Sequence, residues 1–319
     1  MQTCTFDFLF FFLFMQYSDT FQLAADFVNH THINIFLTGN AGTGKTTFLK
    51  FCKENCAKNI AVVAPTGVAA MNAGGTTIHS FFQLPFQPFI PTSRFFNVED
   101  GANDKNSLLS RLKLTNDRRE VMRNLELLII DEISMVRCDL LDALDTVLRH
   151  VRNQHQIAFG GVQVLFIGDM YQLPPVVKEE EWLILSRHYK SPFFFHSTVL
   201  ENHPPVQIKL EKIYRQNDPV FVRLLNQVRN NEMDEDGFER LHSRYLPNFI
   251  PSKDENYIIL TTHNYQADVI NRNNLEEIDD EEKQIDAIAK WSEEKIKETY
   301  IKINGEYRDC EFTNNWLKK

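Results

Sequence analysis

The chain has 319 residues, of which 43% are hydrophobic and 24% are charged, and its formal net charge is -9. This composition excludes a disordered or fibrous protein and predicts roughly two domains with substantial cores. Because the net charge is negative, any contact with nucleic acid has to come from a local basic patch. The five cysteines include no C-x-x-C pair, so we expect buried or idle thiols in a reducing compartment.

The N-terminus carries an unbroken apolar run at residues 8–15. A bilayer-spanning helix takes about 20 apolar residues, so this run is too short to cross a membrane. No Lys or Arg precedes Lys45, which leaves a secretion signal without its positively charged start. We therefore assign residues 1–18 to an apolar extension that the folded domain does not need, and we expect no membrane association.

A helical pattern at 21–28 leads into an apolar strand pattern and then into a glycine-rich segment at 39–46. That segment fits G-x-x-x-x-G-K-[ST], in which backbone N–H groups and a helix N-terminus hold a polyphosphate. Lys45 is expected to reach the β and γ phosphates, and the Thr46 hydroxyl to bind Mg²⁺. The residues expected to hold the nucleotide are Gly39, Ala41, Gly42, Thr43, Gly44, Lys45, Thr46 and Thr47.

Two further strand patterns end in polar residues that suit phosphate chemistry. The apolar run at 125–130 ends in Asp131 and Glu132. We expect Asp131 to hold Mg²⁺ and Glu132 to orient and deprotonate the attacking water, which makes hydrolysis credible. Residues 140–151 predict an amphipathic helix, and the next strand pattern, at 163–167, is followed by Gln172, which is placed to sense the γ-phosphate.

Between these elements lies a candidate nucleic-acid segment. A short apolar run at 59–64 predicts a buried parallel strand, and the loop at 74–82 carries hydroxyl groups, His79 and the paired Phe81 and Phe82. Such a loop can grip a phosphate and stack a base, or it can be a turn that feeds phenylalanines into the core. Residues 83–120 begin with several prolines and are polar, which predicts a small insertion.

The C-terminal third restarts the α/β pattern. A strand pattern at 206–210, a helix pattern that follows it, and a strand and helix pattern at 257–262 and 264–274 predict the start of a second α/β domain over residues 201–275. The first domain would then cover residues 19–200. Arg215 could reach across the cleft to the γ-phosphate. Residues 276–319 form a charged tail without a motif that we can interpret.

Six segments in this order resemble the petite integration frequency DNA helicases, of the RecD-like branch of superfamily 1. They are GNAGTGKT at 39–46, APTGVAA at 64–70, TIHSFF at 77–82, DEISM at 131–135, GDMYQLPP at 168–175 and YRQ at 214–216. The resemblance implies an α/β fold with a RecA-like P-loop NTPase sheet flanked by helices. It also implies ATP-driven 5′ to 3′ translocation on single-stranded DNA with duplex unwinding, in replication, repair or recombination.

The resemblance assigns roles to particular residues. Gln22 matches a glutamine that contacts adenine, and Arg215 matches an arginine that touches the γ-phosphate. The positions that match residues lining the DNA strand are Thr66, Gly67, Val68, His79, Ser80 and Phe81. The implied cofactors are ATP and Mg²⁺, and the implied partners are single-stranded DNA and forked duplex DNA. We expect a monomer in the bacterial cytoplasm, at the nucleoid.

The sequence departs from this family after Asn274. Two motifs of the second RecA-like domain are not found there, one that contacts DNA and one that supplies another arginine to ATP. We therefore expect a fragment or a truncated member of the family. Two alternatives stay open: a P-loop module that binds nucleotide without autonomous unwinding, and an ATPase that acts on protein partners.

Overall fold

The computed structural model describes residues 18–92, 101–214, 218–247, 249 and 257–276, and three short strands between residues 287 and 310. The chain divides into two compact units, Met1–Arg244 and Tyr245–Lys319. Almost all of the predicted apolar extension and much of the predicted tail lie outside the described residues, and so does Arg215.

One parallel sheet organises the first unit. Its strands are β1 (Ile35–Gly39), β2 (Ile60–Ala64), β3 (Thr76–Thr77), β4 (Leu127–Ile130), β5 (Gln163–Ile167) and β6 (Val206–Leu210). They lie in the order β3-β2-β4-β5-β1-β6, and every neighbouring pair is parallel. Because all strands run the same way, the segments that follow β1, β4 and β5 meet at one edge of the sheet.

Helices cover both faces of the sheet. They are α1 (Asp19–His30), α2 (Lys45–Asn55), α3 (Gly67–Ala73), α4 (Ile78–Phe82), α5 (Lys105–Arg111), α6 (Asn116–Asn124), α7 (Cys138–Val151), α8 (Glu179–Leu185), α9 (Thr198–Asn202), α10 (Pro219–Asn230) and α11 (Glu235–His242). None of the helices in the described part of the chain combines the length and apolar character that crossing a bilayer requires.

The core lies in two layers, one on each face of the sheet. Leu128 and Ile130 point into one buried cluster, while Leu127 and Ile129 point into the other. This arrangement explains why β4 is an unbroken apolar run, as expected for a parallel strand covered on both faces. The predicted parallel sheet flanked by helices is therefore confirmed.

The last strand of this sheet differs from the expected domain organisation. β6 pairs with β1 over its whole length, from Ile35↔Val206 to Gly39↔Leu210. It alternates exposed and buried residues, as an edge strand with one covered face does. The expected boundary near residue 200 thus separates β6 from the sheet that contains it, whereas the compact unit continues to Arg244.

The predicted insertion at 83–120 also joins the main body. Leu108 of α5 and Leu114 belong to the same buried cluster as Leu128 and Ile130. Leu84 and Phe89 of the same stretch are also buried in this cluster.

The second unit contains helix α12 (Asn264–Glu276) and an antiparallel sheet of β7 (Ala287–Ile288), β8 (Thr299–Ile303) and β9 (Glu306–Cys310). The helix predicted at 264–274 is present, but the segment 257–262 is not a strand. Ile258 and Leu260 are 85% and 91% exposed, so burial does not fix an extended conformation there. The assignment of this unit to a second RecA-like domain stays a prediction.

Lys58 joins three parts of the first unit at the end of the sheet opposite the phosphate loop. Its ammonium group donates hydrogen bonds to the carbonyls of Val28 (2.5 Å) and Thr31 (2.6 Å), and to Oε1 of the buried Gln163 (2.6 Å). Removing a charged donor leaves these acceptors unpaired. We expect Lys58→Met to lower the free energy of unfolding by about 2 kcal/mol, measured by urea denaturation.

The exposed Lys113 provides the matched control for this change. Lys113→Met removes an equal charge without touching the junction, so its urea midpoint should stay near that of the wild type. Equal midpoints for Lys58→Met and the wild type would show that these hydrogen bonds do not stabilise the fold.

Candidate nucleotide and DNA site

The phosphate loop connects β1 to α2, and two of its glycines have clear structural reasons. Gly44 precedes α2 with φ of 93°, in the left-handed region that glycine adopts without strain. Gly39 lies so close to β6 that a Cβ atom there would come within 2.6 Å of the Leu210 carbonyl oxygen. The loop therefore keeps its shape because these two positions have no side chain.

Lys45 is the first residue of α2, and its side chain folds back over the loop. Its Nζ atom donates to the carbonyl of Gly39 at 2.7 Å and to that of Asn40 at 3.1 Å. Burial lowers the pKa of Lys45, and the nearby carboxylates of Asp169 and Glu132 oppose part of that effect. The ammonium group thus lies at the centre of the loop, where a bound phosphate would meet it.

A cavity of about 390 Å³ opens beside this lysine. Of the predicted nucleotide residues, it is lined by Ala41, Gly42, Gly44, Lys45, Thr46 and Thr47, together with Glu132 and Gln172. The structure thus brings eight predicted residues from the ends of β1, β4 and β5 around one space. Its volume suits a small-molecule ligand.

Tyr214 is a wall residue that sequence reasoning missed. Its backbone N–H donates to the Gly42 carbonyl at 2.8 Å, and its side chain lines the cavity. Its position next to Arg215 could have indicated a place at the site, because the segment at 214–216 matches the family. Only the arginine of that segment has a role assigned from the sequence. Arg215 itself lies outside the described residues.

Two acidic residues follow β4; Glu132 lines this cavity, whereas Asp131 is not among the lining residues. Burial raises the pKa of Asp131 to about 6, and its Oδ1 atom accepts the backbone N–H of Glu132 at 3.0 Å. Glu132 has φ of 52° and ψ of 44°, a left-handed conformation that is strained for a residue with a side chain. Such strain often occurs at functional positions.

Three predicted nucleotide residues lie outside the cavity wall. Thr43 is buried, and its hydroxyl donates to the Asn40 carbonyl at 2.9 Å, so it shapes the loop, as does Gly39. Gln22 lies on α1 and donates to Asp26 Oδ1 at 3.0 Å. Its Oε1 atom is buried, and no hydrogen-bond partner for it is found among the described residues.

The candidate DNA segments begin at neighbouring strand ends. β2 and β3 pair in parallel up to Ala64↔Thr77, so the residues after them lie side by side. Thr66 caps α3 by accepting the Ala69 N–H at 3.2 Å. His79 stacks on Phe86, with ring centroids 4.8 Å apart, and Phe86 is 81% exposed.

Both segments contribute to one cavity of about 300 Å³, which Thr66, His79 and Phe86 help to line. Burial lowers the pKa of His79, and the neighbouring Arg137 lowers it further, which favours the neutral imidazole. The predicted residues Gly67, Val68 and Ser80 are exposed. Phe81 differs, because it is partly buried against the core and packs on Phe82 at 4.8 Å.

A family model for PIF1-like helicases matches residues 17–236, which is more than half of the chain. The chain belongs to the PIF1-like helicase family. The resemblance recognised in the sequence motifs is therefore confirmed. So is the RecA-like P-loop fold, because this PIF1-like chain also matches solved structures of Pif1 helicases over most of its length.

Curated relatives match about two thirds of this PIF1-like chain. The ATP-dependent DNA helicase PIF1 of Saccharomyces cerevisiae is 36% identical over 223 residues, which are 67% of this chain and 23% of that protein. The human protein of the same name is 36% identical over 61% of this chain and 27% of its own length. The chain therefore spans about a quarter of the length of these relatives.

Solved structures match the PIF1-like chain more fully. A Pif1 helicase from Bacteroides in complex with ADP-AlF3 and ssDNA has a TM-score of 0.74 at 33% identity, covering 92% of this chain and 74% of that chain. A structure of two coordinating Pif1 helicases at forked dsDNA has a TM-score of 0.73, also at 33% identity, covering 92% of this chain and 76% of that chain.

Proposed function

We propose that this chain binds and hydrolyses ATP and couples hydrolysis to 5′ to 3′ movement along single-stranded DNA, which unwinds duplex DNA. One observation carries the proposal: the phosphate loop, Lys45, Glu132 and Gln172 converge on one cavity of about 390 Å³. Relatives named as ATP-dependent DNA helicases, and Pif1 structures with ADP-AlF3 and ssDNA, support both ligands.

Each group around the cavity has a role in this proposal. The loop amides and the N-terminus of α2 bind the phosphates, because unpaired N–H groups there attract anions. Lys45 exchanges its two loop carbonyls for phosphate oxygens and so stabilises the charge that develops on the γ-phosphate. Gln172 senses the γ-phosphate, and Glu132 orients the attacking water and takes its proton.

Thr46 and Asp131 would hold Mg²⁺. Their hydroxyl and carboxylate oxygens are the hard donors that this ion prefers, and Mg²⁺ at phosphate sites commonly takes one or two protein ligands. When bound, the ion would neutralise phosphate charge.

The two remaining predicted contacts are with the adenine and with the γ-phosphate of ATP. We assign the buried Oε1 of Gln22, which has no partner among the described residues, to the adenine edge, because a buried acceptor without a donor is costly and a ligand N–H would satisfy it. We assign Arg215 to the γ-phosphate, as the family resemblance implies.

The segments at 66–68 and 79–81 would contact the DNA strand. Exposed backbone and hydroxyl groups there suit phosphates, and the stacked His79 and Phe86 rings suit a base. We propose single-stranded and forked duplex DNA as substrates, consistent with the Pif1 structure at forked dsDNA. A monomer at the bacterial nucleoid also remains part of the proposal.

An ATPase assay with and without single-stranded oligonucleotide at low salt tests this function. We expect DNA to stimulate turnover, and His79→Ala to raise the DNA concentration needed for half-maximal stimulation about tenfold, since one stacked base contributes about 1–3 kcal/mol. His155→Ala, which changes an exposed histidine, should match the wild type.

Other outcomes of the same assay point to the alternatives. Tight ATP binding without turnover would favour a nucleotide-binding module. Turnover without oligonucleotide binding at low salt, where phosphate contacts are strongest, would favour an ATPase that acts on proteins.

A further inference from the structure

A tight turn after β5 presents Gln172 to the nucleotide cavity. Asp169 is the second residue after the end of β5, and it is only 2% exposed. Its Oδ1 atom accepts the backbone N–H of Tyr171 at 3.1 Å, and its carbonyl accepts the N–H of Gln172 at 3.0 Å. We call residues 169–172 the Asp169 turn. Its conformation decides where the Gln172 side chain lies.

Arg229 of α10 holds this turn from the other side. Its Nη1 atom lies 2.5 Å from Asp169 Oδ2, the carboxylate oxygen opposite the one bound to Tyr171. Its guanidinium carbon lies 4.4 Å from the centroid of the Tyr171 ring. The two contacts fix both the carboxylate and the aromatic residue of the turn. The Arg229 side chain is 17% exposed, so solvent screens this ion pair little.

The same helix also contacts the phosphate loop. Asn40 Nδ2 donates to Asn226 Oδ1 at 2.8 Å, and Asn226 precedes Arg229 by about one helical turn. α10 therefore touches the loop that binds phosphate and the turn that carries Gln172. A change at Arg229 would reach the cavity through the Asp169 turn, without Arg229 lining that cavity itself.

We propose that Arg229 is a positioning residue for ATP hydrolysis, which fixes Gln172 through Asp169 and Tyr171; this inference rests on the proposed function. The Asp169 carboxylate also attracts the ammonium group of Lys45. Pairing with Arg229 satisfies that carboxylate and leaves Lys45 available to phosphate. Without Arg229, a buried carboxylate loses its close partner, which is strongly unfavourable, and the turn rearranges.

A double-mutant cycle in kcat separates positioning from a general structural role. We expect Arg229→Ala to lower kcat about a hundredfold, as a small misplacement of a catalytic group can. In a Gln172→Ala background the same change should lower kcat less than about threefold further, because residues that act as a unit are not additive. Equal losses in both backgrounds would overturn the proposal.

Two further variants test whether the loss of kcat in Arg229→Ala comes only from unfolding or from the loss of one positive charge. Arg229→Lys keeps the charge but loses the planar fork and the stacked guanidinium, so we expect a kcat between those of the wild type and Arg229→Ala. Arg223 lies on the same helix as Arg229 and makes an exposed ion pair with Asp234, which precedes α11. Arg223→Ala breaks that pair and should leave kcat unchanged. A loss of kcat in Arg223→Ala as large as in Arg229→Ala would count against the proposal.

Amide hydrogen exchange tests the turn in the nucleotide-free chain. The amides of Tyr171 and Gln172 should exchange faster in Arg229→Ala or Arg229→Lys than in the wild type and in Arg223→Ala. Unchanged exchange would overturn the positioning role. Faster exchange in a chain whose wild type shows no turnover would support the role of Arg229 in the turn, while it would overturn the proposed function.

Discussion

Replacing Lys45 by alanine is expected to lower kcat for ATP hydrolysis about a thousandfold, because it removes a preorganised positive charge from the position of the γ-phosphate. The lysine already lies in the loop, with Nζ 2.7 Å from the Gly39 carbonyl and 3.1 Å from that of Asn40. Initial rates of phosphate release at saturating ATP measure the effect.

The structure also predicts that Lys45→Ala folds. The side chain lies at the surface of the cavity, and the loop keeps the bond from the Thr43 hydroxyl to the Asn40 carbonyl. The melting temperature and the far-ultraviolet spectrum should therefore stay near wild type. Lys50→Ala changes an exposed lysine of the same helix and serves as the control. Wild-type turnover in Lys45→Ala would remove the basis of the site assignment.

The local parts of the site could be predicted because each is continuous in sequence. Glycine spacing predicts the phosphate loop, and apolar runs that end in acids predict β4 with Asp131 and Glu132 beyond it. Once these strands are parallel, their carboxyl ends meet at one edge of the sheet, which is where open α/β sheets bind ligands. The convergence of Lys45, Glu132 and Gln172 follows from these two steps.

The long-range partners could not be predicted in this way. Arg229 and Asp169 are 60 residues apart, and Lys58 and Gln163 are 105 apart, and no local pattern distinguishes these cations from solvated ones. The helix pattern at 140–151 gives the apolar stripe of α7 but not the burial of Asp142. That carboxylate accepts the N–H groups of Thr198 and Val199 at 2.9 Å and so begins α9.

The proposed coupling of nucleotide to DNA would depend on the same geometry. The candidate DNA segments follow β2 and β3, and β2 is the direct neighbour of β4, the strand that Asp131 and Glu132 follow. The Asp131 backbone N–H donates to the Val63 carbonyl of β2 at 2.9 Å. The acidic segment is therefore linked to Thr66 by a short covalent and hydrogen-bonded route.

Glu132→Gln is expected to lower kcat for ATP hydrolysis by about 10²- to 10⁴-fold, because a neutral amide cannot accept the proton of the attacking water. Glutamine has nearly the same shape as glutamate, so ATP binding should change little. A fluorescent ATP analogue measures binding, and single-turnover kinetics measure the chemical step. Weaker binding with unchanged single-turnover rates would show that Glu132 contributes to binding and has no role as a base.

Glu132→Gly tests the same residue through its backbone conformation. Turnover should fall in this variant, while stability should stay the same or rise. The left-handed conformation at φ of 52° costs a residue with a side chain about 1 kcal/mol or more, and glycine adopts it without that strain. The glycine variant should therefore be at least as resistant to urea as the wild type while it loses turnover. A residue kept in a strained conformation for packing alone would instead lose stability when its side chain is removed. A lower urea midpoint together with wild-type turnover would contradict the catalytic role.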